Sequence, residues 1–190
     1  MREATRNKHE LDFNERPFIA IWEATQACDL ACVHCRASAQ PLRSAFELST
    51  VEAQLLIEQI AAMKVPVFVI TGGDPLKRPD IFDLVEYATA RGVRTSLTPS
   101  ATPLLTRDAI VELQWRGLAR LAVSLDGSTA EIHDAFRCVA GSYERTLRAI
   151  RWARELGLPI QINTTITRGW RRHRFGMSAL RGLGHAIHLE

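Results

Sequence analysis

Three cysteines lie close together in the run Cys-Asp-Leu-Ala-Cys-Val-His-Cys, at Cys28, Cys32 and Cys35. Thiolates are soft donors that bind iron–sulfur clusters, and three of them can bind three irons of a cubane cluster. A cubane has four irons, so one iron would keep no protein ligand and stay open to another molecule. The spacing therefore predicts a [4Fe-4S] site that is reactive rather than purely structural.

Zinc and ferredoxin-type clusters are the alternative uses of such cysteines. A structural zinc site normally needs four ligands, and the nearby candidate for the fourth, His34, directly adjoins Cys35. Plant-type ferredoxins use C-x4-C-x2-C and a further cysteine, whereas this spacing is C-x3-C-x2-C. The remaining cysteine, Cys138, lies over a hundred residues away and is interpreted as a small buried side chain. Iron–sulfur binding is favoured, and zinc binding stays open.

The composition is that of a single globular domain, with 190 residues, 46% hydrophobic and 24% charged. The sequence contains no apolar stretch long enough to span a bilayer and no signal-peptide core. The net charge is +3. Residues 168–190 contribute +4, from five arginines and one glutamate, so the first 167 residues carry −1. No stripe of basic and aromatic residues indicates a nucleic-acid partner. We expect a cytoplasmic protein without nucleic-acid or membrane partners, because free thiols suit a reducing compartment.

Hydrophobic periodicity predicts strands that alternate with helices. Strands are predicted at 18–23, 65–71, 93–98, 119–125 and 160–166, and helices at 49–64, 79–92, 106–117 and 142–157, with a short helix from Ser128. Ser49 and Glu52 form a capping box at the start of the first helix. The alternation predicts parallel βα units, arranged either as an open doubly wound sheet or as a barrel or part-barrel.

Residues suited to chemistry follow the ends of these strands. The cysteine loop follows the first strand, and residues 72–75, Gly-Gly-Asp-Pro, follow the second. Ser124 and Asp126 end the fourth strand, and Asn163 lies in the fifth. In either βα architecture the chemistry gathers at the carboxyl ends of the strands. Four separate segments are therefore expected to converge on one site.

With these residues in place, the stretch from Pro17 to Thr167 resembles the radical S-adenosylmethionine (SAM) enzymes, whose signature is this cysteine spacing. Residues 22–28 and 71–75 resemble the branch with a SPASM or twitch extension, which includes enzymes of heme and heme d1 synthesis and peptide maturases. The resemblance implies an α/β fold, a partial (βα)6 barrel of the TIM type, with about five βα units present in this chain.

The same resemblance implies two cofactors, a [4Fe-4S] cluster and SAM. Cys28, Cys32 and Cys35 would hold three irons, and the amino and carboxylate groups of SAM would chelate the fourth. Reductive cleavage of SAM would then give a 5′-deoxyadenosyl radical that abstracts hydrogen from a substrate. The substrate is unknown, with a peptide or a tetrapyrrole as the implied classes. A low-potential electron donor such as flavodoxin or ferredoxin is the implied partner.

Further site residues are implied in the loops around the cysteines. Gly72, Gly73 and Asp74 match a glycine loop that contacts the amino group of SAM. Glycines let a backbone approach closely, and a carboxylate suits an ammonium group. Asp74 is shorter than the glutamate often found there, so its contact could also run through the backbone or water. The alternative is a glycine turn that Asp74 only caps. His34 stands where the family often has an aromatic residue against the adenine, so its ring is expected to stack there or to lie exposed on the loop.

Polar residues near the later strands are also implied in SAM binding. Ser124 resembles a residue close to the ribose or carboxylate of SAM, and Asn163 resembles one close to the ribose. The alternative for each is an ordinary polar group at a strand end. Arg137 resembles an arginine that pairs with the SAM carboxylate, which a guanidinium can do through two hydrogen bonds. Asp126 is expected instead to organise its own turn.

Two features depart from the family pattern. Cys138 stands where the resemblance expects a small residue, often glycine. As a fourth cluster ligand it would close the open iron, and an incidental thiol is the favoured interpretation. The βα alternation stops after Thr167, so the predicted layout is an N-terminal extension (1–16), a core domain (17–167) and an atypical basic tail (168–190) without a sixth strand. We interpret the tail as a truncation or a shifted reading frame. The alternatives to an enzyme are an inactive fragment that at most binds a cluster, and a zinc-stabilised binding module.

Overall fold

The structure is a computed structural model that describes residues 13–165 and a strand at 187–189. Its strands are β1 (Ile19–Thr25), β2 (Val67–Gly72), β3 (Thr95–Leu97), β4 (Arg120–Ser124), β5 (Ile160–Thr164) and β6 (Ile187–Leu189). Its α-helices are α1 (Thr50–Ala62), α2 (Ile81–Ala90), α3 (Arg107–Trp115), α4 (Ala130–Arg137) and α5 (Ser142–Glu155). Most of the predicted extension and tail lies outside the described residues, so the domain boundaries stay predictions.

The six strands form one sheet in the order β1-β2-β3-β4-β5-β6, and every neighbouring pair is parallel. A doubly wound sheet would reverse its strand order at a switch point, and this sheet does not. Because right-handed crossovers in one direction place all helices on the same face, the sheet is the open part of a βα barrel. The predicted part-barrel is confirmed.

Strand β6 pairs in parallel with β5, with Ile162 opposite Ile187. The prediction that no sixth strand follows Thr167 is therefore wrong. A strand of three residues is too short to give a period-two signal, and a parallel partner lies a long crossover away in sequence. Local sequence patterns cannot find such a strand.

Apolar side chains of the helices pack against the sheet and form the core. Ile57 of α1, Leu84 of α2, Ile110 of α3 and Ile150 of α5 are buried, and Phe68 of β2 lies in the same cluster. This packing holds the strand ends in fixed positions, which is what a site at the sheet edge requires. None of the described helices combines the length and the hydrophobicity that a membrane span requires.

Helix starts agree with the sequence signals at two of three sites. The capping box of α1 is confirmed, since Ser49 Oγ accepts from Glu52 N and the Glu52 carboxylate accepts from Ser49 N at 2.8 Å. Thr106 caps α3 by accepting from Ala109 N. Helix α4, predicted from Ser128, begins one residue later, because its N-cap is Thr129, which makes no side-chain cap bond.

Candidate functional site

A cavity of about 330 Å³ lies at the carboxyl ends of the strands. Its lining includes nine of the predicted site residues: Cys28, Cys32, Cys35, His34, Gly72, Gly73, Ser124, Arg137 and Asn163. The loops after β1, β2 and β4 and the end of β5 thus converge as predicted, because parallel strands end at one edge of the sheet. Asp74 is the predicted residue that does not line the cavity.

Each of the three cysteine sulfurs lies near a hydrogen-bond donor. The contacts run from Leu30 N to Cys28 Sγ (3.4 Å), from Ala39 N to Cys35 Sγ (3.3 Å) and from Arg137 Nη1 to Cys32 Sγ (3.5 Å). Burial raises the pKa of the Cys32 thiol, and the neighbouring Arg137 guanidinium opposes that rise. Donors of this kind stabilise thiolate sulfur, which is the form that binds iron.

The chemistry of this donor set fits a cubane cluster. Cys28, Cys32 and Cys35 bring three thiolate donors to one cavity, as many as a cubane with one open iron needs. A structural zinc site would need four such groups around a single ion. Three cysteines that each bind a different iron do not have to converge on one point. The donor set and its position at the cavity therefore fit a [4Fe-4S] cluster.

Cys138 takes no part in this donor set. Its side chain is exposed, and its Sγ contacts Ala135 O at 3.6 Å instead of lining the cavity. The residue ends α4 with φ 56° and ψ 26°, which is the left-handed conformation. That conformation favours glycine, which explains why a glycine is expected here. The expected burial of Cys138 is wrong, because a helix C-cap points its side chain to solvent.

The glycine loop packs directly against the segment that carries the cysteines. Gly73 N donates to Thr25 O, and Asp74 N donates to Ala27 O, both at 2.7 Å. A Cβ on Gly72 would lie 2.2 Å from Thr25 O, and one on Gly73 would lie 2.5 Å from Ala27 O. The two glycines are therefore required for the approach of two backbone segments. Their predicted contact with a ligand would be an additional role.

The Asp74 side chain is buried outside the cavity. It is 0% exposed and accepts hydrogen bonds from Leu76 N (3.2 Å), Ser100 N (3.4 Å) and Thr102 Oγ1 (2.7 Å). Burial raises the pKa of this carboxyl, and its hydrogen bonds oppose the rise. The carboxylate faces these donors and not the cavity, which agrees with the alternative that Asp74 caps its own turn. It caps the turn Pro75–Lys77 and fixes the loop after β3. Contact of the loop with SAM through its backbone stays a prediction.

Arg137 and Asp126 form an ion pair beside the cysteines. The guanidinium donates from Nε (2.7 Å) and from Nη2 to Asp126 Oδ2, and Thr165 N donates to Asp126 Oδ1 at 2.8 Å. The prediction that Asp126 organises its own turn is wrong, because its carboxylate joins α4 to the end of β5. The carboxylate that Arg137 contacts in this structure is that of Asp126.

The remaining predicted residues lie around the same cavity. The His34 ring stacks on Phe136, with 4.3 Å between the ring centroids and an interplanar angle of 16°. Val33 N also donates to Phe136 O at 3.2 Å, so the end of α4 is fixed against the cysteine loop. Ser124 and Asn163 are direct neighbours on β4 and β5. Stacking of His34 on an adenine stays a prediction.

Ser100 and His133 are among the cavity residues that were not predicted from the sequence. Ser100 follows β3, and the rule that strand ends carry the chemistry would have pointed to it. His133 lies four residues before Arg137 on α4, so the helix period places both on one face. Burial lowers the pKa of His133 to about 4. Its Nδ1 accepts from Asp126 N at 3.1 Å, so the proton of the neutral ring is on Nε2.

A buried arginine holds both ends of the cysteine loop. Arg78 is 1% exposed, and its Nη1 donates to Ala24 O (3.2 Å) and Leu48 O (2.9 Å). Asp80 accepts from Nε (3.0 Å) and Nη2 (2.7 Å) of the same guanidinium and balances its charge. The chain before and after the cysteines is thereby anchored to one point, which no short motif revealed.

Known proteins similar to this chain agree with the geometry. The Radical SAM superfamily pattern matches residues 22–179. An AdoMet-dependent heme synthase of Oleidesulfovibrio alaskensis is 44% identical over 150 residues, which cover 79% of this chain and 38% of that protein. The mycofactocin maturase MftC of Mycobacterium tuberculosis is 38% identical over 162 residues, which cover 81% of this chain and 39% of that protein.

A solved structure shows the same fold. Streptococcus suis SuiB bound to S-adenosylmethionine superimposes with a TM-score of 0.79 and 16% sequence identity, over 92% of this chain and 40% of SuiB. The chain thus spans about two fifths of the relatives it matches. An AdoMet-dependent heme synthase and a mycofactocin maturase agree with the enzymes predicted for the SPASM/twitch-type branch, which confirms that prediction. The family uses a [4Fe-4S] cluster and SAM. This chain belongs to the radical SAM superfamily.

Proposed function

We propose that this chain is the radical-generating domain of a radical SAM enzyme. When bound, the [4Fe-4S] cluster and SAM together supply a 5′-deoxyadenosyl radical, which abstracts a hydrogen atom from the substrate. The observation that carries the proposal is the placement of Cys28, Cys32 and Cys35 at one cavity with the other strand-end residues. That cavity of about 330 Å³ is within the range of small-molecule sites.

Different residues of the cavity would bind the cluster and SAM. The three cysteines would hold the cluster, with the fourth iron left for SAM. Gly72 and Gly73, Ser124 and Asn163 would contact SAM through backbone and neutral polar groups, and His34 would offer its ring to the adenine. Arg137 would keep Asp126 as its partner and supply a positive charge near Cys32.

A tetrapyrrole of heme synthesis is the substrate class we favour. Identity to the heme synthase is 44% over 150 residues, against 38% over 162 residues for the mycofactocin maturase. A peptide is the second candidate, since a PqqA peptide cyclase is 36% identical over 152 residues. The electron that reduces the cluster would come from a low-potential donor such as flavodoxin or ferredoxin. Four free cysteines agree with the reducing cytoplasm as the compartment.

Formation of 5′-deoxyadenosine from SAM tests this proposal. Anaerobically reconstituted protein should release the nucleoside when dithionite is present, and Cys32→Ala should reduce the rate to background because one iron loses its ligand. Cys138→Ala removes an exposed thiol outside the cavity and should leave the rate unchanged. A cluster-loaded wild-type protein that releases no nucleoside would favour the inactive-fragment alternative. Equal rates for Cys32→Ala and wild type would contradict the assigned cluster ligands.

A further inference from the structure

Ser100 lies between a cluster cysteine and the glycine loop. Its Oγ is 3.3 Å from Cys28 Sγ and donates a hydrogen bond of 2.8 Å to Gly73 O. Its backbone amide donates to the buried Asp74 carboxylate at 3.4 Å, and Thr102 donates to the same carboxylate. The loop after β3 is therefore fixed, and the hydroxyl stays within reach of both acceptors.

Whether Cys28 carries a proton determines which of the two acceptors receives the hydrogen bond of the Ser100 hydroxyl. A serine hydroxyl has one proton, and the short contact to Gly73 O uses it. The thiol of Cys28 then donates its own proton to Ser100 Oγ. A cysteine bound to iron is a thiolate and has no proton to donate. The Ser100 proton then has two competing acceptors, and the hydrogen bond to the ionised one is stronger.

We propose that Ser100 donates its proton to Cys28 Sγ when the cluster is present, and that this hydrogen bond raises the reduction potential of the cluster. The proposal rests on the proposed function, because it needs the cluster. Reduction adds negative charge to the cluster and its sulfurs. A donor on a ligand sulfur stabilises that charge and makes reduction easier. The Leu30 amide donates to the same sulfur at 3.4 Å, but Ser100 donates from a side chain, so a substitution can remove it.

The effect is measured in anaerobically reconstituted Ser100→Ala protein. Iron and sulfide content is determined first, and an EPR-monitored redox titration follows. The content should equal that of wild type, because all three cysteines remain. At a fixed potential, the ratio of reduced to oxidised cluster should fall about tenfold, which is about 59 mV for a one-electron couple. Ser100→Thr keeps the hydroxyl and should restore the wild-type ratio.

Ser44→Ala is the matched control. The Ser44 hydroxyl accepts from Phe46 N at 3.2 Å in an exposed turn, so this variant should titrate like wild type. If the cluster in fully loaded Ser100→Ala has a reduction potential equal to or higher than in wild type, the proposed hydrogen bond is overturned. The same holds if cluster-loaded Ser100→Thr titrates like Ser100→Ala. Wild-type protein that takes up no iron and sulfide would overturn the proposed function instead. The iron determination separates these two failures.

Discussion

At the scale of single residues, His133 links the site to the pH dependence of stability. Its pKa is about 4 in the folded protein, against 6.5 for an ordinary histidine, because the ring is buried. Between these two values the unfolded chain binds a proton that the folded chain does not. Stability therefore rises with pH through this window and is lost as the pH falls.

We expect the free energy of unfolding to fall by roughly 2 kcal/mol between pH 7.5 and pH 5 on account of His133. His133→Gln keeps an acceptor for Asp126 N but cannot titrate, so this part of the pH dependence should disappear. Urea unfolding of cluster-free wild type and His133→Gln at several pH values measures the two pH dependences. The same pH dependence in the two proteins would contradict a neutral buried His133.

Cys138 provides a second test at this scale. A residue other than glycine in the left-handed conformation costs about 1 kcal/mol, and Cys138 has φ 56°. We expect Cys138→Gly to raise the free energy of unfolding by about 1 kcal/mol, measured by thermal melting. Cys138→Ala removes the thiol but keeps the Cβ, so it should give no gain. A gain shared by both variants would assign the effect to the sulfur.

The types and spacing of residues predicted the cysteines and the position of the glycine loop, but not the direction of every side chain. Asp74 follows Gly73 in a motif that suggests ligand contact, yet its carboxylate is buried against Thr102. The partner of Asp126 was missed for the same reason. Arg137 lies eleven residues further on, at the end of α4, and a contact between a loop and the far end of a helix depends on the tertiary fold.

At the scale of elements, the site depends on how closely the loop after β2 approaches the end of β1. Gly72 has φ +127° and leaves no room for a Cβ beside Thr25 O, 2.2 Å away. Gly92 also has a positive φ of +73°, but nothing lies within 4 Å of a Cβ built there. Substitutions at the two positions therefore distinguish the cost of backbone strain from the cost of a clash with the neighbouring backbone.

We expect Gly92→Ala to lower the free energy of unfolding by about 1 kcal/mol through strain alone. Gly72→Ala should lower the free energy of unfolding by more than about 3 kcal/mol, because backbone atoms cannot move aside as a flexible side chain can. Denaturant unfolding of both variants measures the difference. Equal losses would show that the loop after β2 can move away from the cysteine segment at little cost.

Long periodic elements were predictable from the sequence, and the contacts that join loops were not. Helix α1 has a capping box and a regular apolar face, and both signals are local. Arg78 anchors Ala24 and Leu48, which are distant from it in sequence. Its fully buried charge has no local signature, because a sequence shows the residue type but not its burial.

At the scale of the whole molecule, the order of the strands determines where the site forms. The alternation of strands and helices allowed two architectures, and the unreversed order β1 to β6 distinguishes them. Because all strands are parallel, the cysteine loop, the glycine loop, Ser100 and the end of β5 meet at one edge. The short β6 was missed because pairing, rather than any local pattern, defines it.

The central claim is that this edge holds a [4Fe-4S] cluster with one iron open to SAM. EPR of anaerobically reconstituted, dithionite-reduced protein, recorded with and without SAM, tests it most directly. We predict the signal of a reduced cluster and a change in its shape when SAM is added, because SAM binds the open iron. A reduced cluster whose signal SAM leaves unchanged would contradict the open iron, and the absence of any cluster signal would contradict the site itself.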